Sequence, residues 1–167
     1  MNGDRSEIIM SIKPHWCQLI ANGEKTVEIR KTKPNLNPGF KAYVYATKAA
    51  HTLIHVMGDG DENYGEIYHG PKVFLTTHKG SLGSMWGREK KVVGEFTCTG
   101  IEPLIYVNDK DYHLPNGECC LTLKELRKYG QGKQLYGWKI QDFKFYREPK
   151  ELSDFGLTRP PQSWQYI

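Results

Sequence analysis

What this chain lacks narrows its class before any motif is read. No apolar run among its 167 residues approaches the ~20 that a membrane-spanning helix needs, so no membrane partner is expected. The opening residues, Met1 to Glu7, are polar and lack the apolar stretch of a secretory signal, which predicts a cytoplasmic protein. Cysteine is sparse. Cys17, Cys98, Cys119 and Cys120 show no paired metal-ligand spacing, and the adjacent Cys119 and Cys120 suit an ordinary disulfide poorly. All four read as reduced thiols. His51 and His55 stand four apart, yet no third ligand or zinc-type glutamate accompanies them, so no metal and no cofactor are expected. There is no internal repeat and no sign of a second core. One domain over 1–167 is the expectation, with 48–90 a variable insertion between strands.

What is present is an ordinary soluble composition, 38% hydrophobic and 25% charged, with a net charge of +4. The charge is unevenly placed. Residues 121–150 hold eight Lys/Arg against three acids and leave the rest of the chain near neutral. Tyr129, Tyr136, Trp138, Phe143, Phe145 and Tyr146 interleave with those bases. Such a mixture suits a single-stranded nucleic-acid surface. It equally suits barrel strands with aromatics inward and lysines outward.

The stretch from Gly23 to Lys31 organises the reading. From Thr26 the residues alternate, with Thr26, Glu28 and Arg30 on one face and Val27 and Ile29 on the other, the period of a half-buried strand. Pro14 to Asn22 reads as a short helix, with proline at its first position and Gly23 just past its end. Ile8 to Ile12 is a buried strand, and Lys41 to Thr47 a strong one. Val92 to Cys98 is a strand whose Gly94 marks a bulge or tight bend. Thr122 and Glu125 have capping-box spacing and predict a helix to Lys128. Tyr136 to Ile140 and Phe143 to Tyr146 read as two further strands, and His51 to Met57 as helical. Short strands with few helices and no regular alternation predict an α+β fold, a small mixed β-barrel with flanking short helices.

Lys25, Glu28 and Arg30 are the leading site candidates. Arginine offers a planar fork to phosphate or a base edge, and a lysine can bind phosphate or act as an activated amine. The competing account is a simple surface pair, worth ~0–1 kcal/mol if exposed. Lys13 beside a helix N-terminus is a further anion candidate, though a solvated lysine explains it too. Of Tyr43 and Tyr45, one is expected to face a cleft and stack a base, the alternative being cross-strand packing. Arg159, Ser163 and Trp164 sit in a proline-stiffened tail that either caps the barrel or lines the cleft.

On these residues the chain resembles the ASCH-domain family, a branch of the PUA-like superfamily. The likeness rests on Ser11-Ile12-Lys13-Pro14, on the Gly23, Lys25, Glu28, Arg30 core, on Val44 to Thr47 and on Val93 to Phe96. Leu135 to Ile140, Pro149 to Leu152 and Arg159 to Trp164 are similar to a subgroup common in bacterial and phage genomes. The resemblance implies a PUA-like pseudo-barrel with a cleft, binding RNA or a modified nucleoside or nucleotide. Lys13, Lys25, Glu28, Arg30, Tyr45, Thr47, Arg159, Ser163 and Trp164 are the expected binding set. One branch is similar to an amidohydrolase acting on acetylated cytidine through a lysine, a threonine and a glutamate. The lysine falls on Lys25, but Glu28 stands where the threonine belongs. Another branch has been proposed as a ribonuclease, which Tyr45 and Lys48 would echo. The alternative function is therefore a hydrolase with Lys25 and Glu28 as catalytic groups, and a third is a module whose surface binds a protein partner.

Overall fold

The computed structural model describes residues 6–49, 52–55, 73–76, 90–114 and 117–167. In chain order these form β1 (Ile8–Ile12), α1 (Pro14–Ala21), β2 (Val27–Arg30), β3 (Phe40–Ala46), β4 (Thr52–His55) and β5 (Val73–Thr76). There follow β6 (Lys91–Pro103), β7 (Ile105–Tyr106), β8 (Tyr112–His113), α2 (Leu123–Gly130), β9 (Tyr136–Lys150), a 3-10 turn (Leu152–Phe155) and β10 (Trp164–Tyr166).

Six strands make one mixed sheet in the order β10-β1-β3-β6-β9-β2, with β1 and β3 parallel and the other neighbours antiparallel. Alternation sorts its side chains. Ile8, Met10 and Ile12 join Phe40, Val44, Phe96, Trp138 and Phe145 in the main core, whereas Ile9 joins Tyr45, Val92 and Tyr146 on the opposite face. The sheet curls into a half-barrel whose edges are tied by side chains. Arg30 at the end of β2 reaches Ser11 and Ser163, and the Trp164 indole N–H donates to Thr32 Oγ1 at 3.0 Å. Inside, the Trp164 ring lies 5.8 Å from that of Trp138.

The two helices among the described residues form where their end signals stand. Pro14 opens α1, and Gly23 follows it with φ +78°, the left-handed conformation that glycine adopts without strain. Thr122 and Glu125 close the capping box of α2 reciprocally.

Three expectations are corrected. The two strands expected over 136–146 are one fifteen-residue strand, because Asp142 takes φ +52° and bends the chain without ending its pairing to β6. The helix expected from His51 to Met57 is overturned where that stretch is described: Thr52–His55 is a strand paired with Val73–Thr76. Asn22 at the end of α1 anchors that hairpin by acting as a strand neighbour, its side-chain amide donating to Val73 O and accepting from Val73 N. The third concerns Tyr45, which does not reach the cleft and is placed with the site below. The remaining readings on 48–90, including the glycine-rich loops, and the His51 and His55 pair lie outside the described residues and side chains.

Gly94 is required by proximity. A Cβ there would stand 2.5 Å from the Lys144 carbonyl oxygen and 2.8 Å from the Phe143 ring. The first contact is with backbone of the facing strand, which cannot rotate away. Gly94→Ala is therefore expected to lose ~1–3 kcal/mol by overpacking, read as a lower urea midpoint at unchanged slope. An unchanged midpoint would refute the close approach of β6 and β9 at this point.

Candidate binding site

The site is built at the exit of α1. Glu24 N–H and Lys25 N–H both donate to Leu19 O, at 2.9 and 3.0 Å, so the chain turns back sharply beneath the helix. That turn carries Lys25 inward to 2% exposure. Its ammonium donates to Cys119 O at 2.6 Å, pairs with Glu28 Oε2 at 3.3 Å and lies 5.1 Å from the Trp16 ring centre. Cys119 is held there because its loop runs beside β2, where Thr26 and Val27 N–H donate to Glu118 O.

Glu28 joins two cations. Its Oε1 meets Arg30 Nη2 at 2.9 Å while Oε2 faces Lys25. Arg30 spreads its fork further: Nη2 also donates to Ser11 O at 2.8 Å, and Nη1 donates to Ser163 Oγ at 3.2 Å. Glu28 and Arg30 are 6% and 7% exposed, so the surface-pair account of this strand fails. All four residues of β2 are buried, because α1, the loop at 118–121 and the tail cover the face expected to be open. Buried ion pairs hold only when geometry and extra hydrogen bonds offset desolvation. Here backbone carbonyls and a hydroxyl supply those bonds.

These side chains form one wall of an open cavity of about 340 Å³, within the range of small-ligand sites. Lys13, Lys25, Glu28, Arg30, Thr47 and Ser163 line it together. Tyr45 does not. It is buried on the opposite face of the sheet with Ile9, Val92 and Tyr146, and Tyr43 packs beside that same cluster. Neither tyrosine of β3 faces the cavity. Thr47 escapes their alternation because β3 ends at Ala46, after which Thr47 N–H donates to Ile12 O. Trp164 packs on Trp138 and Tyr166 as part of the barrel wall, and Arg159 is exposed away from the cavity lining.

A family model of the ASCH domain matches residues 10–151. The chain belongs to the ASCH-domain family. Among solved structures, this ASCH domain is similar to ASCH from Zymomonas mobilis, with 18% identity and a TM-score of 0.60 over 98% of this chain and 89% of that one. A serine-to-alanine variant of that protein aligns at 19% identity and a TM-score of 0.59, covering 98% and 89% of the two chains. A tyrosine-to-phenylalanine variant aligns at 18% and 0.60, covering 97% and 90%. No match is found among curated proteins. The fold is thus the PUA-like α+β half-barrel.

The ASCH cavity also has aromatic walls that the sequence pattern did not reveal, Trp16 and Tyr129, with Leu121 between the loop and the helix. A signal for Trp16 existed. The buried stripe of α1 is Pro14, Cys17 and Ile20, and Trp16 is a large aromatic placed off that stripe, three residues after Lys13. Burial pushes the Tyr129 hydroxyl up, with Arg30 opposing, so it stays a neutral donor. Burial, reinforced by the Glu28 carboxylate, pushes the Cys17 thiol well above its ordinary range and leaves it an unreactive core group. No helix among the described residues is long and apolar enough to cross a membrane.

Proposed function

We propose that this ASCH domain binds RNA, or a modified nucleoside drawn from it, in the cavity walled by Lys25, Glu28 and Arg30. The observation that carries the reading is a buried cluster with one more cation than anion, set in the wall of an open cavity that also presents two aromatic rings. A nucleotide matches both features. Its base offers a π face to Trp16 or Tyr129, at ~1–3 kcal/mol per stacked base. Its phosphate suits Lys13, which is exposed at the mouth of the cavity beside the start of α1. Arg30 and Ser163 supply donors for a base edge, and Glu28 holds both cations in place.

The hydrolase alternative needs Glu28 as a general base. Both of its carboxylate oxygens already hold cations, at 3.3 and 2.9 Å, an arrangement for positioning rather than for taking a proton. Binding is therefore the stronger reading.

Fluorescence anisotropy with a labelled single-stranded RNA tests it. Affinity is expected at low salt and falls as salt rises. Lys13→Glu, on an exposed side chain, is expected to weaken it about tenfold, equivalent to ~1.4 kcal/mol. Absence of binding at low salt, or a Lys13→Glu variant that binds like the parent, would refute the reading.

A further inference from the structure

Beyond the cavity, two lysines and two tyrosines extend its chemistry along one edge of the sheet. β2 is the last strand of the six, and the chain leaving it carries Lys31 and Lys33. Lys31 Nζ lies 4.9 Å from the centre of the Tyr129 ring, and Lys33 Nζ lies 5.7 Å from that of Tyr136. Tyr129 belongs to both regions, lining the cavity while remaining 38% exposed. Tyr136 pairs with Arg30 across β2 and β9, half-buried where its ring meets the main core. The two lysines are no more than ~7 Å apart along the chain. Tyr129 with Lys31 at the cavity, and Tyr136 with Lys33 further along the chain, thus give two positions that each combine a cation with a ring.

A nucleotide presents the matching pair, a phosphate and a π face, and it does so at each step of a strand. An acidic peptide would engage the lysines but leave the rings unused. The exposed bases of α2, Lys124 and Lys128, add positive potential alongside Tyr129, while the nearby acids are engaged: Glu125 in the helix cap and Asp109 with Arg127. We propose that single-stranded RNA runs out of the cavity over Tyr129 and Lys31 to Tyr136 and Lys33. The ligand is then a nucleotide within a strand rather than a free nucleoside. This rests on the cavity reading above and adds to it a path and a polymer.

The test compares hexauridylate with uridine 5′-monophosphate by calorimetry, on the parent and on a Lys31→Glu, Lys33→Glu double variant. Lys33 is exposed and Lys31 half-buried, and a thermal melt checks that the variant folds. The parent is expected to bind the hexamer at least tenfold more tightly than the monophosphate. The double variant is expected to lose that excess while keeping its affinity for the monophosphate. Its salt slope should fall by about 0.7 for each phosphate contact removed. A hexamer no tighter than the monophosphate, or a variant that binds the hexamer like the parent, overturns the path and leaves the cavity reading standing. Polyglutamate competing as well as unlabelled RNA also overturns it. If neither hexamer nor monophosphate binds the parent, the cavity reading falls first and the path with it.

Discussion

A Glu28→Gln variant is expected to lose about 3–5 kcal/mol of folding stability, the range for removing one partner of a buried ion pair. Glutamine keeps the shape of glutamate, so little packing changes. What changes is the charge left inside. Lys25 and Arg30, at 2% and 7% exposure, would face each other across a neutral amide with no anion between them. Lys25→Met should cost less, although it removes the hydrogen bond to Cys119 O, because Glu28 then remains balanced by Arg30 alone. Urea denaturation of the two variants gives the order directly, as midpoints compared at equal slope. A total stability of ~5–15 kcal/mol is usual for a single domain, so the glutamine variant would lose a large share of it. A loss below ~1 kcal/mol for Glu28→Gln would mean that the cluster is far better hydrated than its burial indicates. Equal losses for the two variants would refute the claim that charge balance, rather than any one contact, is what the cluster maintains.

That cluster also marks where the sequence could be read and where it could not. The order of β1, α1 and β2 was legible because local chemistry writes it: a proline at a helix start, a glycine past its end, a period of two beyond. The cap of α2 was legible for the same reason. The half-barrel followed from the lengths and number of strands. Burial of the polar face of β2 was not legible, since period 2 shows that one face is polar but not what covers it. Its cover comes from residues 118–121 and from Ser163, more than ninety and a hundred and thirty positions away. Tyr45 was misplaced by a related limit. Alternation correctly put Tyr43 and Tyr45 on one face, and only the parallel pairing of β3 with β1 decides that this face looks away from the cavity. At Asp142 a residue that usually breaks strands instead carries a bend within one, which no local pattern separates from a turn.

Arg30→Lys separates the charge of this residue from its shape. The substitution keeps a cation for Glu28, yet a lysine nitrogen cannot stand at once against Glu28, Ser11 O and Ser163 Oγ as the guanidinium does at 2.9, 2.8 and 3.2 Å. The hydrogen bonds it forfeits are those that tie β2 to β1 and to the segment before β10, the open side of the half-barrel. A loss of ~2–3 kcal/mol is expected, in line with charge-assisted hydrogen bonds. The location of the damage is the sharper readout. Ser11 N–H donates to Ser163 O, and Ile167 N–H donates to Glu7 O, on the edge that Arg30 fastens. Amide exchange at these two positions should accelerate more than exchange along the β3 and β6 ladder, because the edge opens locally before the sheet unfolds. Uniform acceleration would reduce Arg30 to one more stabilising contact. Acceleration confined to the edge would make it the closure of the barrel, and would explain why the same side chain both shuts the fold and faces the cavity: the donors that a ligand can meet are held in place by the bonds that join the two edges.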